Sequence, residues 1–231
     1  VGFSSERPLR VFDLASGAAL QNLLGHTRSL EALRFSPDGT TIAFTADDGW
    51  KNEQAYEQPD IYTTTTSGEV KRLTNDGYVW SALSYSPDGQ FLLSERTFGT
   101  GMIIEKKLSH GGSDDLIVWP TGLGAEASAK AAGTPLNLTA SWDLEPNAPR
   151  WSPDSKFVYF TADKGGTVHL FRVAARPGAP IEQITKGDRR LNSITFDKAM
   201  TRIAYTVGTL GVGILVNLIQ LLATFYVAVA V

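Results

Sequence analysis

The feature that most limits how this chain can fold is a short segment that it repeats. Arg150-Trp151-Ser152-Pro153-Asp154-Ser155-Lys156-Phe157-Val158-Tyr159-Phe160-Thr161 is one copy. Phe35-Ser36-Pro37-Asp38-Gly39-Thr40-Thr41-Ile42-Ala43-Phe44-Thr45 and Tyr85-Ser86-Pro87-Asp88-Gly89-Gln90-Phe91-Leu92-Leu93-Ser94-Glu95 are two more. A degraded fourth runs from Phe196 to Thr206, where the turn reads Asp197-Lys198-Ala199-Met200 and Ile203-Ala204-Tyr205-Thr206 aligns with Val158-Tyr159-Phe160-Thr161. An apolar run, a Ser-Pro-Asp-Gly turn and a second apolar run make a tight antiparallel hairpin. Proline presets φ at the first central position, Ser or Asp caps the turn through its side chain, and Gly takes the left-handed position that closes it. Ser155, standing where Gly39 and Gly89 stand, is therefore expected to strain its turn. The second run carries large residues at consecutive positions, so we expect it to be covered on both faces, inside a sheet rather than at its edge.

Each hairpin leads into a third strand and a threonine exit. Asp60-Ile61-Tyr62-Thr63 runs to Leu73-Thr74, Asp115-Leu116-Ile117-Val118-Trp119 to Leu138-Thr139, and His169-Leu170-Phe171-Arg172-Val173 to Ile184-Thr185. Residues 10 to 24 have the same strand, Gly turn and strand entry, so the chain enters late in a unit. Counted from the turn serine, the intervals are 50 residues from Ser36 to Ser86, 66 from Ser86 to Ser152 and 45 from Ser152 to Asp197. Periods of this length holding several short strands are the pattern of β-propeller blades. The long middle interval contains an Ala- and Gly-rich insertion, Gly122 to Gly133, read as a flexible surface loop with a helical turn as the alternative.

The fold expected is all-β: a partial β-propeller of about three to four four-stranded blades, with an apolar C-terminal segment. We expect the propeller over residues 1–208, with blade repeats near 25–74, 75–139, 140–185 and 186–208, and the apolar tail over 209–231. After Arg202 no charged residue follows, and the run from Leu210 to Val231 is long enough to span a bilayer. Asn217, Gln220 and two glycines weaken that reading, and no basic flank lies beyond it. The tail is thus a transmembrane helix, the completion of a fourth blade, or sequence unrelated to the domain.

Composition narrows the function more than it identifies it. Hydrophobic residues at 42% and charged ones at 19% describe a chain able to bury a core. A net charge of −3 gives no electrostatic case for nucleic acid, which calls for a basic face. The absence of cysteine excludes a disulfide scaffold and thiol chemistry. The chain starts at Val1 without an initiator Met or signal-peptide pattern, so we expect processing or truncation upstream.

The residues from Leu138-Thr139-Ala140-Ser141-Trp142-Asp143 through Pro149-Arg150-Trp151-Ser152-Pro153-Asp154, Thr161-Ala162-Asp163-Lys164-Gly165-Gly166-Thr167-Val168-His169-Leu170-Phe171-Arg172-Val173 and Lys186-Gly187-Asp188-Arg189 carry a resemblance. Together with the hairpins and threonine exits they resemble the WD-like repeats of the bacterial envelope protein TolB and of the propeller domain of the prolyl oligopeptidase family. The 138–206 run is similar to the acylaminoacyl- and dipeptidyl-peptidase branch of that family. The resemblance covers about residues 10 to 208 and implies a non-catalytic propeller that gates peptide access to an α/β-hydrolase domain of the same protein, with peptides as further partners. A protein-binding propeller of the TolB kind, without enzymatic activity, is the alternative. The Ser-Asp-His triad of the family would lie elsewhere, since this chain holds no Gly-x-Ser-x-Gly elbow. Either a periplasmic or envelope setting or a cytoplasmic one follows, with membrane association if 209–231 is a helix.

No catalytic, cofactor-binding or metal-binding residue is assigned, and no cofactor is expected. His26, His110 and His169 lie in different repeats without ligand spacing. Asp47, Asp48, Glu53, Glu57 and Asp60 do not match a calcium loop and read as a solvated loop. Glu105-Lys106-Lys107 reads as a solvated strand or loop face, and His110-Gly111-Gly112-Ser113 only superficially resembles an oxyanion loop. Asn137-Leu138-Thr139 fits a glycosylation sequon, relevant in a eukaryotic secretory setting. Asp38, Asp88 and Asp154 are read as turn residues.

Overall fold

In the computed structural model, residues 9–23, 32–47, 56, 58–65, 70–108, 114–122 and 134–208 are described. The repeat unit becomes a four-stranded antiparallel sheet whose strands follow one another in the chain. The first is β3 (Leu33–Phe35), β4 (Thr41–Ala46), β5 (Asp60–Thr65) and β6 (Val70–Arg72). The second is β7 (Tyr78–Tyr85), β8 (Phe91–Phe98), β9 (Asp115–Pro120) and β10 (Leu136–Asn137). The third is β11 (Asn147–Trp151), β12 (Phe157–Lys164), β13 (Thr167–Ala174) and β14 (Ile181–Gln183). Ahead of them stands the pair β1 (Leu9–Phe12) and β2 (Ala19–Leu23). After them β15 (Arg190–Phe196) and β16 (Ile203–Gly208) open a fourth blade, tied to the third where Val168 meets Arg190 in parallel. The chain is a partial β-propeller.

The second apolar runs become the second strands β4, β8 and β12, flanked on both sides within their sheets. Their faces pack against neighbouring blades. Between the first two blades Ala43 and Ile61 meet Trp80, Leu83, Leu92 and Ile117. Between the second and third, Leu93, Leu116 and Val118 meet Trp151, Val158 and Phe160. Full burial of a large apolar side chain stabilises by roughly 1.5–3 kcal/mol, so each seam contributes several such increments to the fold. Coverage on both faces fails in part for β12: Tyr159 and Thr161, half-buried, line a cavity of about 260 Å³ between the third and fourth blades. The ring of Phe196 meets Tyr159 edge-on there, at 5.8 Å.

The inner strands share a second device. Ala82, Ala148 and Ser193 each lie four residues before the turn serine or its counterpart, and each has left-handed φ, between 47° and 51°. Strand register shifts at these points in β7, β11 and β15. A left-handed conformation costs a non-glycine residue about 1 kcal/mol, so its recurrence marks a bulge that the blade geometry requires.

One expectation is corrected here. Glu105-Lys106-Lys107 is solvated, but it ends a short helix, α1 (Thr100–Glu105), rather than lying on a strand or loop. The chain enters α1 through Gly99, whose N–H donates to the Gly77 carbonyl at 3.2 Å. A Cβ on Gly99 would run into that same oxygen, so only glycine allows the approach. The insertion from 123 to 133 and the apolar tail lie outside the described residues, as do His26, His110 to Ser113, Asp48, Glu53 and Glu57. Among the described residues no helix is long and apolar enough to cross a membrane.

Candidate functional site

The repeated motif builds two different ends of each blade. At one end lie the turns. The backbone N–H of Gly39, Gly89 and Ser155 donates to the carbonyl three residues back at 2.9 to 3.0 Å, and Met200 does the same in the fourth copy at 2.9 Å. The serine hydroxyl works twice. Ser36, Ser86 and Ser152 donate to Asp38, Asp88 and Asp154 at 2.5 to 2.6 Å and accept from the N–H of Thr41, Phe91 and Phe157 at 2.9 to 3.0 Å. In the fourth copy Asp197 takes the serine's place, accepting from the Arg202 N–H at 2.8 Å. The carboxyls of Asp38 and Asp154 are held below the ordinary value chiefly by the serine hydroxyls, and that of Asp197 chiefly by the Arg202 N–H. These serines and aspartates are consumed by the turn, as their recurrence implied.

The turns also touch one another. Ser155, in the position that favours glycine, has φ +60° and is only 6% exposed. Its hydroxyl accepts from the Asp88 N–H of the neighbouring blade's turn at 3.0 Å. The strain expected of Ser155 is thus present, and a bond between blades offsets it.

Away from the turns, a threonine clasps each third strand, near its start in β5 and β9 and at its fourth residue in β13. The hydroxyls of Thr74, Thr139 and Thr185 accept from the N–H of Ile61, Leu116 and Leu170 at 2.9, 3.0 and 2.9 Å. Thr74 donates to Asp60 at 2.6 Å and Thr139 to Asp115 at 3.1 Å, while Thr185 lies 3.3 Å from Nδ1 of His169. Asp60, Asp115 and His169 are one position of the repeat, and the threonine of every exit is its partner. Arg72 pairs with Asp60 at 2.5 Å and Arg96 with Asp115 at 2.6 Å. Burial raises the Asp60 carboxyl, against the lowering by Thr74 and Arg72. The sequon threonine, Thr139, is therefore a buried clasp, 1% exposed, and Asn137 accepts from its N–H at 2.9 Å.

The placement of the remaining candidates is equally definite. Asp47 is buried and accepts from the Gln58 N–H at 3.1 Å, and Asp60 belongs to its clasp, so these two do not form a shared acidic loop. His169 is buried against Thr185. Among the described residues no group of His, Asp and Glu is arranged to hold a metal ion. Beside Asp60, a second carboxyl is raised, that of Glu95, to about 7, foremost by burial and then by Asp114. It had no signal in isolation. Its signal was the column it occupies, which reads Thr45, Thr161 and Thr206 in the other copies.

Comparison with known proteins agrees with this geometry. The model of the WD domain, G-beta repeat family matches residues 17–50. The uncharacterized peptidase YuxL of Bacillus subtilis is 27% identical over 168 residues, which are 66% of this chain and 24% of that protein. The chain thus spans about a quarter of the length of this curated relative. A prolyl endopeptidase structure superposes with a TM-score of 0.61 at 14% identity, covering 89% of this chain and 29% of the other. A putative TolB from Agrobacterium tumefaciens superposes with a TM-score of 0.51 at 18% identity, covering 88% of this chain and 64% of the other. The chain folds as a partial β-propeller, with a match to the WD repeat over residues 17–50, and shares its fold with a putative TolB and with a prolyl endopeptidase.

Proposed function

We propose that the chain is the non-catalytic propeller of a prolyl-oligopeptidase-type serine peptidase, and that it restricts access to a hydrolase domain of the same protein to short peptides. The observation that carries this reading is the similarity to a peptidase over two thirds of the chain. The described hydroxyls and carboxylates support a structural role for this part: the turn serines and clasp threonines are taken up by backbone and neighbouring side chains. On this reading the gating is by size: an extended short peptide reaches the hydrolase domain and a folded protein does not. The test is made on the complete coding sequence and its product. A downstream Gly-x-Ser-x-Gly elbow with later Asp and His, and hydrolysis of short chromogenic peptides but not of folded protein, are the expected results. A complete reading frame with neither sinks the proposal.

A second reading, a protein-binding propeller without enzymatic activity, is favoured by the structural likeness to TolB. It predicts that the full-length protein recovers a stable stoichiometric partner from envelope extract and hydrolyses nothing.

A further inference from the structure

The third blade departs from the second where β12 begins and β13 ends. Ala174 lies opposite Phe157 as Pro120 lies opposite Phe91, and the next N–H donates alike in both blades, Ala175 to the Lys156 carbonyl at 2.9 Å and Thr121 to that of Gln90 at 3.0 Å. Ala175 and Arg176 therefore stand where the second blade has Thr121 and Gly122. The Thr121 hydroxyl also donates to the Gly89 carbonyl at 2.5 Å, fastening the strand end over its own turn. Ala175 has no hydroxyl to do so, and Arg176 adds a guanidinium where glycine offers none. The turns differ too. The first two blades meet through Pro37 and Gly89, where a Cβ would sit 3.6 Å from the proline Cδ. The second and third meet through the polar bond from the Asp88 N–H to Ser155 at 3.0 Å.

These residues line a pocket of about 460 Å³ at the turn end of the seam between the second and third blades, a size that suits a small ligand. Its apolar surface comes from the rings of Phe91 and Phe157 and the methyl groups of Ala174 and Ala175. Both rings are held from behind. Phe91 stacks on Trp151 with centroids 6.1 Å apart, and the Arg172 guanidinium, paired with Glu182 at 2.7 Å, lies 4.7 Å from the centroid of Phe157. Charged groups reach the pocket from both blades. Asp154 and Lys156 pair with each other at 3.5 Å. Asp88 accepts from the Ser86 hydroxyl and the Gln90 N–H through Oδ1 alone, at 2.6 and 3.0 Å, which leaves its Oδ2 without a donor among the described residues. The exposed guanidinium of Arg176 has no hydrogen-bond or ion-pair partner among them either.

We propose that this pocket binds a short zwitterionic peptide, its carboxylate on Arg176, its ammonium group on Asp88 and an apolar side chain against Phe91 and Phe157. A guanidinium takes a carboxylate through two parallel charge-assisted hydrogen bonds, and a carboxylate oxygen accepts from an ammonium group in the same strengthened way. The charge balance selects the class. Two bases and two acids line the pocket, so a compact anion gains at Arg176 and is repelled by Asp88, whereas a ligand carrying both charges satisfies each free group. The inference rests on the pocket alone and stands whether or not the parent protein is a peptidase.

Calorimetric titration of the full 231-residue chain with leucyl-leucine, its N-acetyl form, its C-terminal amide and inorganic phosphate tests it. The free dipeptide is expected to bind, with each blocked form and phosphate weaker by about tenfold. Arg176→Gly restores the second-blade residue at an exposed position. It should weaken the free dipeptide to the level of the amide while leaving the melting temperature unchanged. Asp88→Asn keeps the turn's acceptor and removes the charge, so the free and acetylated dipeptides should then bind alike. No binding of the free dipeptide, equal binding of all three dipeptide forms, phosphate binding as tightly as the dipeptide, or undiminished binding by Arg176→Gly would each overturn the proposal.

Discussion

At the scale of single residues, Ser155 shows how an unfavourable backbone position can be retained. Its left-handed φ costs about 1 kcal/mol relative to glycine, and its hydroxyl returns about as much by binding the Asp88 N–H across blades. Ser155→Ala keeps the strain and loses the bond, so chemical denaturation should show a loss of about 1–2 kcal/mol. Ser155→Gly should fall between the two, and a glycine variant more stable than the natural chain would refute the compensation. The turn aspartates give a second residue-scale prediction. Asp38, Asp154 and Asp197 have carboxyls lowered from 3.8 by hydroxyl and N–H donors. Their stabilisation is therefore present above about pH 4 and disappears as pH falls through the depressed folded values. Acid unfolding followed by circular dichroism should be measurably shallower in Asp154→Asn, and an unchanged acid limb would contradict the assignment.

At the scale of elements, the clasp is the unit that the sequence announced without explaining. The recurring Leu-Thr and Ile-Thr exits were legible as a pattern. Their chemistry was not, because the partner of each threonine lies 14, 24 or 16 residues earlier and only the sheet brings them together. Thr139→Val removes the acceptor for the Leu116 N–H in a buried site, which should cost about 1–3 kcal/mol, while Thr139→Ser should recover most of it in thermal denaturation. Equal stability of the valine variant would show the clasp to be incidental. The hairpins were the most legible elements, since Pro, Asp and Gly act locally through φ and near hydrogen bonds. Helix α1 was illegible for the opposite reason. It has no capping side chain and buries no residue, so no periodic apolar face announced it.

For the whole molecule, blade spacing predicted the propeller because each period of strands folds into one sheet, but seam quality depends on side chains that meet only across blades. The two filled seams and the cavity beside Tyr159 share the same repeat positions and differ in what occupies them. The described ends leave apolar side chains uncovered: Phe12 is 49% exposed, Leu20 63%, Phe35 51% and Val207 52%. Together with open strand edges, such patches favour association. Residues 1–208 produced alone should therefore scatter light as oligomers at micromolar concentration, and a monomeric species with one sharp melting transition would argue against this.

The order of strands within the sheets carries a last consequence. Every four-stranded sheet is closed by strands that follow one another directly, so the pairings of a blade are complete once its own outer strand has been synthesised. Contacts so local form quickly compared with the pace of translation. Each blade can thus take shape as it leaves the ribosome and wait for the next to cover its open face.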